Sequence, residues 1–489
     1  MMPGEARLSA PVARRPPAAP WRWADAVLGV LEYRAALLIL ILVAPCAVYQ
    51  HLPLPGWPGV ALAAGLGLAV SACLGGLSLR WRPTLPALPR PAIILAVGLA
   101  AQVACAAWTA PTQQSDMASY LALAERLAHG LPYLDEAGRI AYWPAGLPFY
   151  LSPFVALFGA GVLAIWAANA VLYVAGGWAI LSLGRQCLPE TAARAALIVF
   201  TLWPSRLLLA GLAAKELLTV SCVTAALALL LACRGRRGDG PRALLAGLAL
   251  GLAALAQPGL LLLALLLPLA LRARLVALGP ARALSCALCV ACGVAVCLAP
   301  WMLRNCAATD GAFCGVASNG GDSFYRANNP RATGLWTERG EVSLDGLGEL
   351  DKNRVGFALG KEWWRSHPVD GLKLSVRKFI YFVQGDEHGV YWALERAGAS
   401  VGTVRAGYTV SLVFWLLLAG LALRGLRRTH ATTHAAAGMD PSARRLMLYP
   451  LLYGVAVFAL FESGDRQHMF AVPGLIVLAL WPLACRDAA

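Results

Sequence analysis

Eight charged side chains stand where long apolar runs give way to polar sequence: Asp116, Arg206, Lys215, Glu216, Arg304, Glu462, Asp465 and Arg466. Almost none stands near the middle of such a run. Intramembrane charge marks ion and proton pathways, so its scarcity argues against an ion-coupled transporter. Charge at the rim suits a site at the boundary of water and lipid. One reaction needs that boundary: transfer of a sugar from a lipid-phosphate carrier. There the leaving phosphate is anchored by a polyprenyl tail, so the donor must lie in a groove at the membrane surface. A carboxylate takes the proton of the attacking hydroxyl, and cations steady the developing phosphate charge. Asp116 and Glu216 are the candidate acids, with Asp116 as the base. Arg139, Arg206, Lys215, Arg304 and Arg466 are the candidate cations. Each also has a plain structural reading. Asp116 could be a helix-terminal charge, Lys215 and Glu216 an interfacial pair, Arg304 a membrane anchor, and Arg466 a solvated loop charge.

Metal chemistry has less support. His129, His367, His388 and His468 are scattered without ligand spacing, and Cys286, Cys289 and Cys292 read as small buried hydrophobes within an apolar run. The expectation is no cofactor, with one divalent ion near Asp116 and Glu216 left open.

The elements that must hold these residues follow from composition. The chain has 489 residues, 59% hydrophobic and 14% charged; soluble domains carry about 25% charge. A spanning helix needs about 20 mostly apolar residues, and these Leu/Ala runs lack the alternation of barrel strands. The expected fold is an all-α polytopic membrane protein. Twelve transmembrane helices are read at 35–51, 58–79, 91–110, 161–183, 192–209, 215–233, 243–257, 259–271, 283–302, 406–425, 446–462 and 468–484. Gln257-Pro258-Gly259 separates two of them, which marks that pair as short or tilted.

With the amino terminus inside, the short inner loops gather most of the Lys and Arg, while acids gather outside. That is the usual orientation signal. It places both termini in the cytoplasm and the site on the outer face of the plasma (inner) membrane. The spread of Arg over separate loops argues against nucleic acid as a partner. Residues 1–34, with Arg7, Arg14, Arg15 and Pro16-Pro17, read as a cytoplasmic arm without a cleavable signal peptide. Residues 35–302 form the transmembrane region, including a first outer loop at 111–160. Residues 303–405 are an outer loop domain, and 406–489 the last spans and tail. In the first outer loop, Asp116, Tyr120, Leu123 and Leu127 recur at helical spacing. They predict an interfacial amphipathic helix capped by Ser115 and ended by Gly130 and Pro132. Cys306 and Cys314 stand in the outer loop, where an oxidising compartment would let them pair.

The same residues resemble those of the GT-C superfamily of integral-membrane glycosyltransferases, especially bacterial relatives of the protein O-mannosyltransferases and of the lipid A aminoarabinose transferase. The resemblance begins with Ser115-Asp116 and Tyr120, then Gly130-Leu-Pro-Tyr133 and Tyr142-Trp-Pro-Ala-Gly-Leu-Pro148. It continues with Pro204 and Lys215-Glu216, then Ala299-Pro-Trp-Met-Leu-Arg304-Asn305. Ser318-Asn-Gly-Gly-Asp322, Ala327-Asn-Asn-Pro330 and Thr333-Gly334 follow, and Gly464-Asp-Arg466 leads to Pro473. It implies a GT-C-like helix arrangement and Asp116 as the essential acid near the acceptor hydroxyl. It implies a supporting role for Glu216 and substrate contacts for Arg304 and Arg466. Tyr120, Tyr133 and Asn305, with Arg139, Arg206 and Lys215, complete the expected substrate-binding set. Relatives often carry Lys or Arg before the proline pair of the first loop; here Trp143 precedes Pro144, and Ala145 replaces the second proline. Phosphate binding then falls to another cation, Arg139 or Arg206. The expected activity is transfer of a hexose or pentose from a polyprenyl-phosphate donor, with inversion, to an acceptor protein, lipid or polysaccharide. A transporter or flippase for lipid-linked sugars and a non-catalytic scaffold are the rival readings.

Overall fold

Apolar stretches this long cannot leave their backbones unpaired in lipid, and helices satisfy every peptide group within one segment. The computed structural model describes residues 20–51, 56–80, 86–234, 238–272, 274, 279–335, 337, 340–431 and 439–484. Among them there is no strand. Residues 1–19 of the predicted arm lie outside the described residues.

Among the described residues, six helices are long and apolar enough to cross a membrane: Val27–His51, Pro91–Thr109, Val162–Arg185, Asp239–Ala256, Pro280–Ala308 and Val401–Thr429. Their outward faces carry Leu and Val, such as Leu284, Leu288, Val296 and Val410 at 56–61% exposure, as lipid-facing surfaces do. The segment read as one span at 192–209 is instead two helices, Glu190–Thr201 and Pro204–Gly211, bent by 50°. Pro204 explains the break: its ring cannot follow a helical residue without a clash, so the chain turns before it. The stretch read at 259–271 is a short helix, Leu261–Leu266, between two 3-10 turns. Gly56–Arg80, Gly146–Phe158, Lys215–Leu231, Pro441–Phe458 and Val472–Ala484 pack in the same bundle.

Small residues let these helices approach closely. Gly247 faces the Val290 carbonyl, and a Cβ there would lie 2.2 Å from that oxygen. Gly293 meets Leu244 and Leu248 in the same way from the other helix. These contacts pack Asp239–Ala256 against Pro280–Ala308.

At one end of the bundle, Pro280–Ala308 runs out into the domain of helices Gly320–Arg326, Glu349–Ser366 and Pro368–Val383. A disulfide joins Cys306 to Cys314 at its exit. At the other end, Asp25 and Glu32 pair with Arg272 and Arg445, and Tyr449 donates to Glu32. This ion cluster locks the first helix to the start of Pro441–Phe458. The helix that begins at Pro441 therefore has Arg445 at one end of the bundle and leads to Glu462 at the other.

Candidate active site

The first outer loop is fixed by its backbone partners. Gln113 donates to the Gly211 carbonyl at 3.0 Å and accepts from the Ala213 N–H at 2.9 Å. It thereby sets Asp116, three residues on, against Lys215, two residues past Ala213. A helix does form over Asp116–Ala128, with Met117, Tyr120, Leu123 and Ala124 buried. Ser115 does not cap it: the residue sits at φ 54°, and its hydroxyl donates to Asp116 Oδ1 at 2.9 Å rather than accepting from the helix. The helix ends at Ala128, and Gly130 takes the left-handed turn after it at φ 68°.

Asp116 Oδ2 lies 3.7 Å from Lys215 Nζ and 3.5 Å from Arg466 Nη1. Lys215 also donates to the Tyr120 hydroxyl at 3.4 Å. The Arg466 guanidinium is held by Glu462 at 2.6 Å, and the Arg466 backbone N–H donates to Asp465 Oδ1 at 2.9 Å. The side chains of Asp116, Lys215 and Arg466 are 15–22% exposed, so solutes reach them. Burial alone would raise the Asp116 carboxyl, but Lys215 and Arg466 overcome it and hold the group well below the usual carboxylate range. Burial pushes the Tyr120 hydroxyl up to about 12.

Behind this triad the chain buries more acids. Glu216 faces His388 Nε2 at 3.9 Å. His388 is shifted down, chiefly by burial. Its neighbour Asp386 is fully buried and accepts from Trp203 Nε1 at 2.5 Å. Loss of hydration pushes Asp386 up to about 7. The break at Gln257 also serves this end, because Gln257 donates to Gln467 at 2.7 Å and steadies the turn beside Arg466.

The other expected site residues stand elsewhere. Arg139 pairs with Asp135 at 2.6 Å and lies over the Tyr142 ring. Arg206 is buried between the Tyr173 and Phe200 rings and donates to the Tyr173 carbonyl. Lys215 and Arg466 therefore stand at this rim, while Arg139 and Arg206 are engaged away from it. Arg304 donates to the carbonyls of Ile140 and Tyr133 at 2.5 and 3.1 Å. Asn305 is fully buried and donates to Gly315; Tyr133 is buried and donates to Trp143. Asn305 and Tyr133 brace their own segments, while Arg304 ties the two outer segments together. Glu349 does the same: its carboxylate accepts from the N–H groups of Ile140 and Ala141 at 2.7 and 2.8 Å and from Ser318 at 2.5 Å. Tyr142 donates to the buried Asp322 at 2.8 Å. Ser318 and Asp322 of the outer-loop motif thus act as joints.

Sequence reasoning missed His388, Asp386 and Glu349. A lone His or acid in a hundred-residue loop gives no spacing signal. Glu462 was visible as one of the charges at the rim. As a ligand for a divalent ion, Asp116 is poorly placed: one oxygen faces two cations and the other accepts from Ser115. Among the described residues, no group of three or more His, Cys, Asp or Glu is gathered so that it could hold a metal ion.

No family model matches this chain, and no curated protein matches it. Among solved structures it is similar to the oligosaccharyltransferase AglB of Archaeoglobus fulgidus, in complex with an inhibitory peptide and a dolichol-phosphate. Identity is 14% and the TM-score 0.48, over 81% of this chain and 50% of that one. It is also similar to ArnT from Cupriavidus metallidurans bound to undecaprenyl phosphate, at 13% identity and a TM-score of 0.42, over 81% and 78% of the two chains. The chain thus spans about half the length of the archaeal structure.

Proposed function

We propose that this chain is a glycosyltransferase that moves a sugar from a polyprenyl-phosphate donor to an acceptor hydroxyl, at the outer face of a membrane. One observation carries the reading. A carboxylate and two cations, brought from three separate segments, meet at a partly open rim where apolar helices end. Lys215 and Arg466 hold the donor phosphate and take up its charge as the sugar leaves. Asp116 accepts the proton of the acceptor hydroxyl. Direct displacement at the anomeric carbon inverts its configuration. Glu216, backed by His388, supports the acidic side of the site. The domain at 303–405 shapes the acceptor side. With both termini in the cytoplasm, as the Arg-rich inner loops favour, this rim lies at the exterior. The sugar is a hexose or a pentose, and the acceptor a protein, lipid or polysaccharide.

The test compares cells expressing wild type with cells expressing Asp116→Asn at matched membrane abundance. Mass spectrometry of surface glycans, envelope lipids and exported proteins is expected to show one hexose- or pentose-sized increment lost in the variant. Profiles that agree between the two, but change when the whole protein is deleted, would turn the reading towards a transporter or scaffold.

A further inference from the structure

We propose that Asp116 and the donor phosphate compete for the same two cations, so that the base is unmasked only when donor has bound. The inference rests on the glycosyl-transfer reading above and adds an order of events to it. In the free protein Asp116 Oδ2 lies 3.7 Å from Lys215 Nζ and 3.5 Å from Arg466 Nη1. A phosphate arriving at this rim meets these same cations. The others are engaged: Arg139 by Asp135, Arg304 by two backbone carbonyls, and Arg206 within a ring-lined interior. A carboxylate between two cations accepts a proton poorly, because opposite charge favours its ionised form. In the free protein Asp116 is therefore a weak base.

Phosphate oxygens attract guanidinium and ammonium groups as strongly as carboxylates do. As the donor draws Lys215 and Arg466 to itself, Asp116 loses two stabilising partners and gains an anionic neighbour. Both changes raise its proton affinity. The other ionisable groups at this rim (Glu216, Glu462, Asp465, Tyr120 and His388) add negative charge or none, so they do not restore the masking. The cations keep their aim while Asp116 lets go, since Glu462 holds Arg466 at 2.6 Å and Tyr120 accepts from Lys215 at 3.4 Å.

The step then balances. The acceptor O–H gives its proton to the Asp116 carboxylate, and the oxygen forms its bond to the anomeric carbon. The bond from that carbon to the phosphate oxygen breaks, and its electron pair leaves with the lipid phosphate, where Lys215 and Arg466 hold the charge. Donor must bind before acceptor can be activated.

The test uses the full chain in detergent and farnesyl phosphate, a lipid monophosphate without sugar, as the probe. Asp116→Asn and Asp116→Ala are expected to bind it about three- to tenfold tighter than wild type, the loss of a competing ion pair worth about 1 kcal/mol. Lys215→Gln and Arg466→Gln are expected to bind it more than about tenfold weaker. Thermal unfolding checks that each variant is folded. Folded Asp116 variants that bind no tighter than wild type overturn the competition. If the two cation variants also bind unchanged, the donor site falls with it; if those two lose binding, the donor site stands alone. A measurement on the wild type needs no variant. With carbon-13 in the aspartate carboxyls, infrared difference spectra should show one carboxylate band shifting when farnesyl phosphate is added, and no shift overturns the proposal.

Discussion

A carboxylate with two cations beside it is stabilised as an anion, and that stability has to be given up before it can work as a base. Asp116 is in this position. Replacing it with Asn keeps the size and the hydrogen bond to Ser115 but removes the proton acceptor. Asp116→Asn is expected to fold normally and to lower single-turnover sugar transfer by about 10²–10⁴-fold; transfer within tenfold of wild type would remove Asp116 from the chemistry. Asp386 makes a second, independent case. It is fully buried, and its carboxyl is pushed up to about 7 by loss of hydration. A group whose pKa is higher in the folded than in the unfolded chain favours folding in its protonated form. Its contribution is full below the unfolded value, near 4 for Asp, and is lost as pH rises through about 7. Asp386→Asn stays neutral throughout and keeps an acceptor for Trp203. The unfolding midpoint of wild type relative to Asp386→Asn should therefore fall as pH is raised from 4 to 7. A constant difference across that range would mean that folding does not raise the Asp386 pKa.

At the scale of elements, two kinds of joint hold the rim in shape. One is carboxylate to backbone: Glu349 gathers the Ile140 and Ala141 N–H groups and the Ser318 hydroxyl. Truncating it leaves buried donors unmet, so Glu349→Ala should cost about 1–3 kcal/mol and expose the first loop to limited proteolysis. An unchanged cleavage pattern would show that the loop is held by other contacts. The other joint is glycine to backbone. Part of this architecture was legible beforehand: the runs read at 58–79, 91–110, 161–183 and 215–233 end within two residues of helices Gly56–Arg80, Pro91–Thr109, Val162–Arg185 and Lys215–Leu231, whereas the run read from 35 belongs to a helix that starts at Pro20. Helix content follows from local hydropathy, which a sequence displays directly. The break at Pro204 was misread because the mostly apolar stretch 192–203 before it and the leucines after it look continuous when only hydropathy is read. Of the site, Asp116, Lys215, Glu216 and Arg466 were legible as charges out of place in oily surroundings. Arg139, Arg304 and Asn305 have the same appearance in the sequence, yet their polar atoms are spent on joints. His388 was invisible because its partner Glu216 is far off in the chain and meets it only through folding.

Across the whole molecule, charge is gathered at two opposite ends of the helices. One end holds Asp116, Lys215 and Arg466, and the other holds Asp25, Glu32, Arg272 and Arg445. The helix Pro20–His51 has 32 residues and is about 48 Å long at 1.5 Å per residue, enough to pass a hydrocarbon core of about 30 Å. Asp25 stands near its start, and His51 at its end pairs with Glu387, next to His388. The two clusters therefore lie on opposite sides of any membrane these helices cross, and we propose that the end with Arg272 and Arg445 faces the cytoplasm, as positive loops favour. If so, exposed positions at the two ends must differ in accessibility from outside a cell. Glu136, in the first loop, and Arg242, at the start of Asp239–Ala256, are both exposed. Glu136→Cys should react with a membrane-impermeant maleimide on intact cells or spheroplasts, over the background of the parent protein. Arg242→Cys should react only after the membrane is permeabilised. The reverse pattern would put the Asp116 rim in the cytoplasm and its donor on the inner leaflet. Reaction of both from outside would mean that the helices between them do not cross the membrane, and the polytopic arrangement would fall.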